Sequence, residues 1–219
     1  MKKIMTAALM GLTAATFSPA IARDVEETRD LSDYSKIKVD GLANLVVEVG
    51  DDYSFRVEGD DDMVEFLRTR VRGKTLVIDF DDNDREKNIS FFSLSDLKVK
   101  ITITMPSLEG LEIDGLVDAY INNIDSRDFE LEIDGKADVE LRGKCETADI
   151  EIDGWADVDA REFKCENVDI DLDGMGDADV YASKSVRASA DGMGDIVVYG
   201  NPEKTDIDED GFASVKIRK

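Results

Sequence analysis

The chain has 219 residues, of which 51 are acidic and 27 basic, so its formal net charge is −24 at pH 7. Such a polyanion repels nucleic acid, which argues against a nucleic-acid-binding function. With 42% hydrophobic residues, the chain can still build a folded core. The sequence contains no histidine, which removes the usual activating base of serine and cysteine nucleophiles and the usual zinc ligands.

Residues 1–22 have the composition of a secretory signal peptide. Lys2 and Lys3 precede an apolar run from Ile4 to Phe17, and Ala20-Ile21-Ala22 supplies a cleavage site. The run is too short to span a membrane, and no cysteine stands at the cleavage site to take a lipid. We therefore predict a protein without a transmembrane segment that is exported to the periplasm, the cell surface or the extracellular medium.

Residues 23–30 are charged and lack periodicity, which predicts a flexible leader. Residues 31–106 predict an N-terminal β subdomain of antiparallel-type strands. Within it, apolar segments at 45–49 and 53–57 flank Gly-Asp-Asp and predict a hairpin. Residues 60–70 predict a short helix.

The end of this subdomain shows the clearest strand pattern. Residues 81–87 carry six ionisable side chains and predict a solvated loop. Residues 97–105 then alternate strictly between apolar and polar side chains, which predicts a half-buried strand. Pro106 is predicted to end it.

A six-residue phrase centred on Asp-Gly returns through residues 107–219, which we predict to form a β-solenoid. Successive Asp-Gly pairs are 20, 19, 20, 18 and 19 residues apart, a period typical of stacked repeats. Aliphatic residues such as Ile150 and Ile152 alternate with acids such as Glu151, so one side of each strand is predicted to be buried. The predicted fold class is all-β, a parallel β-helix or β-solenoid with coils of about 19 residues, packed on or capped by the N-terminal strands in one domain over 31–219. The phrases begin at Ile113, Ile133, Ile152, Leu172, Ala190 and Glu209.

The glycine of each phrase is predicted to form a corner, because a positive φ is inexpensive only for glycine. Two residues after it, the side chain is always small or slim, as a crowded corner demands. These residues are Val117, Ala137, Ala156, Gly176, Gly194 and Ala213.

The two cysteines, Cys145 and Cys165, stand one repeat apart in matching Lys-Cys-Glu contexts. Equivalent residues of stacked parallel strands lie about 4.8 Å apart, which is within reach of a disulfide. Because an exported protein meets an oxidising compartment, we predict a bridge between them. The alternative is two free thiols that share a repeat position.

Three acidic columns run through the predicted repeats, and closely spaced carboxylates suit Ca²⁺. The calcium candidates are Asp138, Asp157, Asp177 and Asp195. The alternative is that carboxylates at the corners accept hydrogen bonds from turn amides while the others keep the protein soluble. The tighter glycine pattern of calcium-binding nonapeptide repeats is absent, so no cofactor is predicted and Ca²⁺ stays a hypothesis. The first column is Asp114, Asp134, Asp153, Asp173, Asp191 and Asp210; the second is Asp118, Asp138, Asp157, Asp177 and Asp195; the third is Glu112, Glu132, Glu151 and Asp171.

The residue just after each glycine is mostly large and apolar. As an external stripe beside acidic columns, this column would suit a carbohydrate or a protein partner. The alternative is that these side chains tuck under the corner and belong to the core. The residues are Leu42, Leu116, Lys136, Trp155, Met175, Met193 and Phe212, and the predicted binding stripe consists of Leu116, Trp155, Met175 and Met193.

Several short segments carry a resemblance to a known family. They are Ile37-Lys38-Val39, the strand and proline of Val99–Pro106, the corners Gly174-Met175-Gly176-Asp177 and Gly192-Met193-Gly194-Asp195, and the closing Tyr199-Gly200-Asn201-Pro202. In these segments the chain resembles the head GIN domain of auto-transporter adhesins, a family of exported bacterial proteins, over roughly Leu31 to Lys219. The family corner usually has Gly-Ser-Gly-Asp, whereas here Asp-Gly precedes bulky residues such as Trp155. The resemblance implies a right-handed parallel β-helix-like fold and brings no catalytic residues.

Three functions follow from these observations, and the leading one is a non-enzymatic exported binding or structural module. It would be adhesin-like or envelope-associated, with a protein or a glycan at the cell surface as its partner. The alternative is a polysaccharide-binding protein that uses the apolar stripe. A carbohydrate-active enzyme would need paired carboxylates, but 51 acidic residues bring such pairs together by composition alone. No catalytic or cofactor-binding residue is therefore predicted, and the oligomeric state is left open.

Overall fold

The computed structural model describes residues 24–80 and 99–218. The predicted signal peptide and the loop predicted at 81–87 lie outside these residues. Within the described part, no helix is long and apolar enough to cross a membrane.

The described chain is almost entirely β-structure, with one short helix. The elements in chain order are β1 (Asp24–Thr28), β2 (Lys36–Val49), β3 (Ser54–Asp60), α1 (Asp61–Phe66), β4 (Leu67–Arg72), β5 (Thr75–Phe80), β6 (Lys100–Met105), β7 (Gly110–Ile152), β8 (Trp155–Leu172), β9 (Ala178–Tyr199) and β10 (Lys204–Ile217). The predicted all-β class is therefore confirmed.

All ten strands belong to one sheet, and most of its pairs are parallel. The order β2-β7-β8-β9-β10 is parallel throughout. Antiparallel pairs occur only among the N-terminal strands, where β3 pairs with β1 and β6, and β4 pairs with β5. At the N-terminal edge, β2 is covered by β5 and β6, both parallel to it. Strands β5 and β6 thus cover the outer edge of β2. Because β2 lies within residues 31–106 and is parallel to β5, β6 and β7, the prediction of antiparallel-type strands over this range holds only in part.

The register of the parallel strands follows the repeat seen in the sequence. Lys136 pairs with Trp155, Val158 with Ala178, and Lys204 with Ser185. Alternate residues point inward and form one continuous core. Side chains such as Ile152 and Leu172, which pair across β7 and β8, have no exposed surface. Burial of these stacked aliphatic rows stabilises the sheet, at about 25 cal/mol per Å² of apolar surface removed from water.

The corner glycines lie directly over one another. An added Cβ at the central members of this stack would lie 2.1–2.3 Å from the carbonyl oxygen of the glycine one repeat earlier. Among the corner glycines, which each follow an aspartate, a positive φ occurs at Gly41 (133°), Gly115 (153°) and Gly211 (75°). The prediction of a positive φ at every corner is therefore wrong, and the close approach of two backbones excludes a side chain instead. The glycines without a positive φ are Gly135, Gly154, Gly174 and Gly192.

Residues 24–28 form strand β1, which corrects the prediction of a flexible leader over 23–30. Asp24 to Thr28 pair with Asp60 to Arg56 of β3. Four of the five β1 side chains are exposed, so the strand is held by its backbone ladder and leaves no alternating pattern in the sequence.

The predicted hairpin between 45–49 and 53–57 does not form, because β6 lies between the two strands. β6 is parallel to β2 through Ile101 and Ile103 and antiparallel to β3. Both isoleucines are fully buried. Strand β6, some fifty residues later in the chain, thus occupies the position beside β2 that the predicted hairpin gave to β3.

The short helix and the disulfide agree with the sequence predictions. Helix α1 lies within the predicted range 60–70, but its N-cap residue Asp60 makes no side-chain capping bond. Cys145 and Cys165 pair across β7 and β8 and are disulfide-bonded, with Cα atoms 4.5 Å apart. Both cysteines are buried.

Candidate functional site

The residues that follow the corner glycines form a continuous external ridge. Strand register and bridges place Leu42 beside Leu116, Lys136 beside Trp155, and Met193 beside Met175 and Phe212. None of them belongs to the buried core, and Trp155, Met193 and Phe212 are 58%, 50% and 87% exposed. For Trp155, Met193 and Phe212 the alternative that this column tucks under the corner is therefore wrong, while Leu42, Leu116 and Met175 are half-buried. We call it the apolar ridge, and it consists of Leu42, Leu116, Lys136, Trp155, Met175, Met193 and Phe212.

The ridge is exposed because of the stack of glycines beside it. Gly154 and Gly135 approach so closely that no side chain fits between the backbones there. The next residue, Trp155, alternates to the outside, and the small Ala156 turns inward, where only 4% of it is exposed. The large residue is thus displaced outward by the corner that the glycine makes.

Acidic columns flank the ridge on both sides, two residues before and two residues after it. Every member of the first column is exposed, and within the described residues none of them forms an ion pair. In the second column only Asp195 is paired, to Lys216 at 2.6 Å. That ion pair and a hydrogen bond from Ser214 lower the pKa of Asp195. Around Trp155 the ridge is therefore apolar apart from the neighbouring Lys136, and it is bordered by Asp153 and Asp157, for which no ion pair occurs within the described residues.

The second column also has a structural role at the corners. The backbone amide of Asp177 donates to the Asp157 carboxylate at 3.1 Å, and the amide of Asp195 donates to the Asp177 carboxylate at 2.9 Å. These bonds agree with the expectation that corner carboxylates accept bonds from turn amides. Each such bond satisfies an amide and joins two consecutive repeats.

The calcium candidates do not converge on a common point. Among residues 24–80 and 99–218, no group of three or more acidic, histidine or cysteine side chains is arranged to hold a metal ion. Asp138, Asp157, Asp177 and Asp195 lie one above another along the sheet, as equivalent positions of successive repeats. Calcium binding by them stays a prediction.

A groove of about 630 Å³ runs beside the second column. Its far wall is a fourth acidic column, which sequence reasoning missed, together with Tyr120 and Val197. The fourth column is Glu140, Asp159 and Asp179. These acids stand two residues after Asp138, Asp157 and Asp177 in successive repeats, so aligning the repeats could have found them.

The pKa values of Asp159 and Asp179 in the fourth column are shifted in opposite directions. The Arg161 guanidinium hydrogen-bonds the Asp159 carboxylate, with 2.9 Å between Nε and Oδ1, and lowers the pKa of Asp159. Burial raises the pKa of Asp179, and the more distant Arg161 offsets this only in part. Arg161 thus partly neutralises the negative charge of the fourth column.

The third column lies on the adjacent strand segment and is strongly self-repelling. Burial raises the pKa of Glu132, and the charges of Glu112, Glu151 and Glu130 raise it further. A salt bridge from Lys38 to Glu112 compensates only the upper end of the column. Carboxylates about 5 Å apart repel by roughly 0.8 kcal/mol in water and several times more at lower effective dielectric.

Comparisons with known proteins agree with this architecture. Residues 33–202 match a family model described as "Putative auto-transporter adhesin, head GIN domain". The crystal structure of a putative adhesin from Bacteroides fragilis is similar to this chain, with a TM-score of 0.72 and 22% sequence identity, over 90% of this chain and 97% of that one. A putative adhesin from Parabacteroides merdae has a TM-score of 0.46 at 13% identity, over 90% and 96% of the two chains. A putative lipid binding protein from Parabacteroides distasonis has a TM-score of 0.44 at 19% sequence identity, over 90% of this chain and 97% of that one. No curated protein matches the chain.

Proposed function

Because the chain belongs to the head GIN domain family of auto-transporter adhesins, we propose that it is an exported, non-enzymatic binding module of the cell envelope or surface. Its binding surface is the apolar ridge together with the first and second acidic columns. The observation that carries this proposal is the exposure of Trp155, Met193 and Phe212 in one line. Contiguous exposed apolar side chains bordered by polar residues are typical of interaction sites.

The chemistry of the surface selects the kind of partner. Apolar side chains at the centre favour a partner with an apolar face, and unpaired aspartates on both sides favour positive charge on either side of that face. A basic amphipathic segment of another protein has both properties. An acidic polysaccharide, a nucleic acid or an anionic membrane surface would be repelled.

The sheet supplies a rigid support for this surface. We propose that β7 to β10 wind as a right-handed parallel β-helix with coils of about 19 residues, one domain over 31–219. The register offsets of 19 residues from Lys136 to Trp155 and 20 from Val158 to Ala178 support such winding. The right hand is the one found in nearly all parallel β-crossovers. In this arrangement every coil adds one ridge residue to the same line, apolar except for Lys136, with an acid on each side except after Phe212, where Ser214 follows.

Calorimetric titration with a synthetic amphipathic helix of leucine and lysine tests the proposal. We expect binding that weakens steeply between low and physiological salt, because the aspartates are exposed. Trp155→Ala should weaken it at least fivefold without lowering stability. Asp153→Asn/Asp157→Asn, which removes the acids on both sides of Trp155, should weaken it by a similar factor.

The matched control removes two charges away from the ridge. Asp51→Asn/Asp52→Asn changes the net charge equally at an exposed loop and should leave the affinity within twofold of wild type. Equal losses in both double variants would show attraction to net charge alone and would contradict the proposal. If the protein binds neutral oligosaccharides and does not bind the peptide, the polysaccharide-binding alternative replaces this proposal.

A further inference from the structure

Strand β10 ends the sheet with one edge uncovered. It pairs only with β9 among the described strands and stands last in the sheet order. The opposite end is different, since β5 and β6 cover the outer edge of β2. The sheet therefore has one covered end and one open end.

Within the described residues, this end of the sheet exposes Ile207 at a position that the preceding repeats bury. Residues Lys204 to Phe212 are all exposed. Ile207 stands over Ala188, which is 1% exposed, yet Ile207 itself is 41% exposed. Its side chain faces the core side of the sheet, and no further strand among the described residues covers it.

The backbone of β10 also presents free hydrogen-bonding groups. The amide of Arg218 donates to the Val198 carbonyl of β9 at 2.8 Å. Amides alternate in direction along a strand, so those of Ile217, Val215 and Ala213 point to the uncovered edge. In agreement, the Val215 amide donates to the carboxylate of Glu209 instead of to a neighbouring strand.

The two arms of β10 are complementary to each other in charge. The first arm carries the outward-facing Asp206, Asp208 and Asp210, and the second arm carries Lys216 and Arg218. Within the chain, Lys216 also pairs with Asp195 at 2.6 Å and Asp206 with Arg187 at 3.6 Å, so contacts across the edge would share these charges. Between them the strand turns at Gly211, with a φ of 75°. A two-fold axis near this turn would place the acidic arm of one copy on the basic arm of the other.

We propose that β10 pairs antiparallel with β10 of a second copy, with Phe212 on the two-fold axis. This register places Asp208 opposite the partner's Lys216, Asp206 opposite the partner's Arg218, and Ile207 opposite the partner's Ile217. This register sets the edge-pointing amides of Ile217 and Val215 opposite the partner's Ile207 and the partner's Glu209, and for Val215 a bond across the edge would replace its bond to Glu209. Interfaces with two-fold symmetry are the commonest in homo-oligomers.

The pairing has a consequence for the apolar ridge. Phe212 is the last residue of the ridge, so the two ridges meet at the axis and form one line twice as long. A partner with two basic amphipathic segments would then bind with avidity. The inference itself rests on the edge of β10 and stands whether or not the ridge binds such a partner.

Two effects oppose the pairing. Charged side chains on edge strands commonly discourage edge-to-edge association, and each copy carries a formal net charge of −24. At physiological ionic strength the second effect is screened beyond about 8 Å. The first turns into attraction where aspartates face Lys216 and Arg218, as they do in the register above, and the cross-linking test below distinguishes this register from its neighbours.

Cysteine cross-linking of the full chain, as processed by the expressing cell, tests the register. Phe212→Cys places its thiol against the same thiol of the partner, where opposite residues of an antiparallel pair lie within disulfide range. Under oxidised glutathione at physiological salt, we expect a covalent dimer on a non-reducing gel. The matched control is Met193→Cys, exposed on the same ridge one repeat earlier. It should cross-link at least tenfold more slowly, and equal rates would overturn the proposal.

A charge exchange gives a second test by sedimentation equilibrium. Lys216→Glu/Arg218→Glu and Asp206→Lys/Asp208→Lys should each be monomeric, while their equimolar mixture should form a heterodimer. Circular dichroism and Tm establish that both variants are folded. A wild-type chain that stays monomeric up to millimolar concentration, or a dimer that survives in both separate variants, would overturn the proposal.

Discussion

Alanine at Gly154 isolates the close approach between repeats from any preference in φ. The added Cβ would lie 2.1 Å from the carbonyl oxygen and 2.7 Å from the amide nitrogen of Gly135. Since Gly154 does not have a positive φ, alanine meets no backbone strain of its own there. The two repeats can accept it only by moving apart at this corner.

The magnitude follows from what that movement breaks. The Asp153 amide donates to the Ile133 carbonyl of the earlier repeat at 2.8 Å. That backbone bond contributes about 1 kcal/mol, and overpacking strain adds about 1–3 kcal/mol. We therefore expect Gly154→Ala to lower the free energy of unfolding by about 2–4 kcal/mol. For a chain of this size the Tm should fall by about 5–15 °C.

Urea unfolding followed by circular dichroism measures the change, with Gly50→Ala as control. A Cβ at Gly50 would be 3.4 Å from Thr104 Cγ2, an ordinary contact, so that variant should lose no more than about 1 kcal/mol. If Gly154→Ala were as stable as Gly50→Ala, the stacking of backbones at the corner would be refuted as the reason for glycine.

Three further predictions concern stability. The pKa of Glu132 is raised in the folded state, so its ionised carboxylate destabilises the fold at neutral pH, whereas below the unfolded pKa the group is protonated and this cost is absent. Glu132→Gln should therefore raise the free energy of unfolding by about 0.5 kcal/mol at pH 7 and leave it unchanged near pH 3. An equal gain at both pH values would contradict this. The buried Tyr34 hydroxyl has no hydrogen-bond partner among the described residues, and its pKa is raised to about 12. Tyr34→Phe should therefore be as stable as wild type or more stable by up to about 1 kcal/mol. A clear loss of stability in thermal unfolding would show that the hydroxyl does make a hydrogen bond. The disulfide closes a separation of 20 residues, so Cys145→Ala/Cys165→Ala should lose about 2–4 kcal/mol, and an unchanged urea midpoint would contradict this.

The repeat made much of the fold predictable from the sequence. A fixed period places Cys145 beside Cys165, and that spacing together with an oxidising compartment predicted the disulfide that the structure contains. The same period aligns residues such as Ile152 and Leu172 in one buried row. These features depend on stacking of equivalent residues, which is local to neighbouring repeats.

What could not be predicted depends on pairing over longer distances. Strand β6 enters between β2 and β3 because Ile101 and Ile103 complete the buried rows there. No local signal separates that arrangement from a hairpin. Likewise, β1 pairs through its backbone and buries almost nothing, so its sequence resembles that of a loop.

The candidate site was predictable in its residues but not in its exposure. The column containing Trp155 was visible in the sequence, with burial and exposure as open alternatives. Only the backbone contact of Gly154 with Gly135 decides that the next side chain turns outward. The groove beside it was missed because the acids Glu140 and Asp179 were not compared between repeats.

Fluorescence of Trp155 tests the central claim most directly, because it is the only tryptophan of the chain. At 58% exposure, its emission in the free protein should be that of a water-exposed indole and should be readily quenched by acrylamide. Addition of the amphipathic leucine-lysine helix should shift the emission to the blue and protect it from the quencher. Emission that is already blue and protected in the free protein, or that does not change when the peptide is bound, would contradict an exposed ridge that binds its partner.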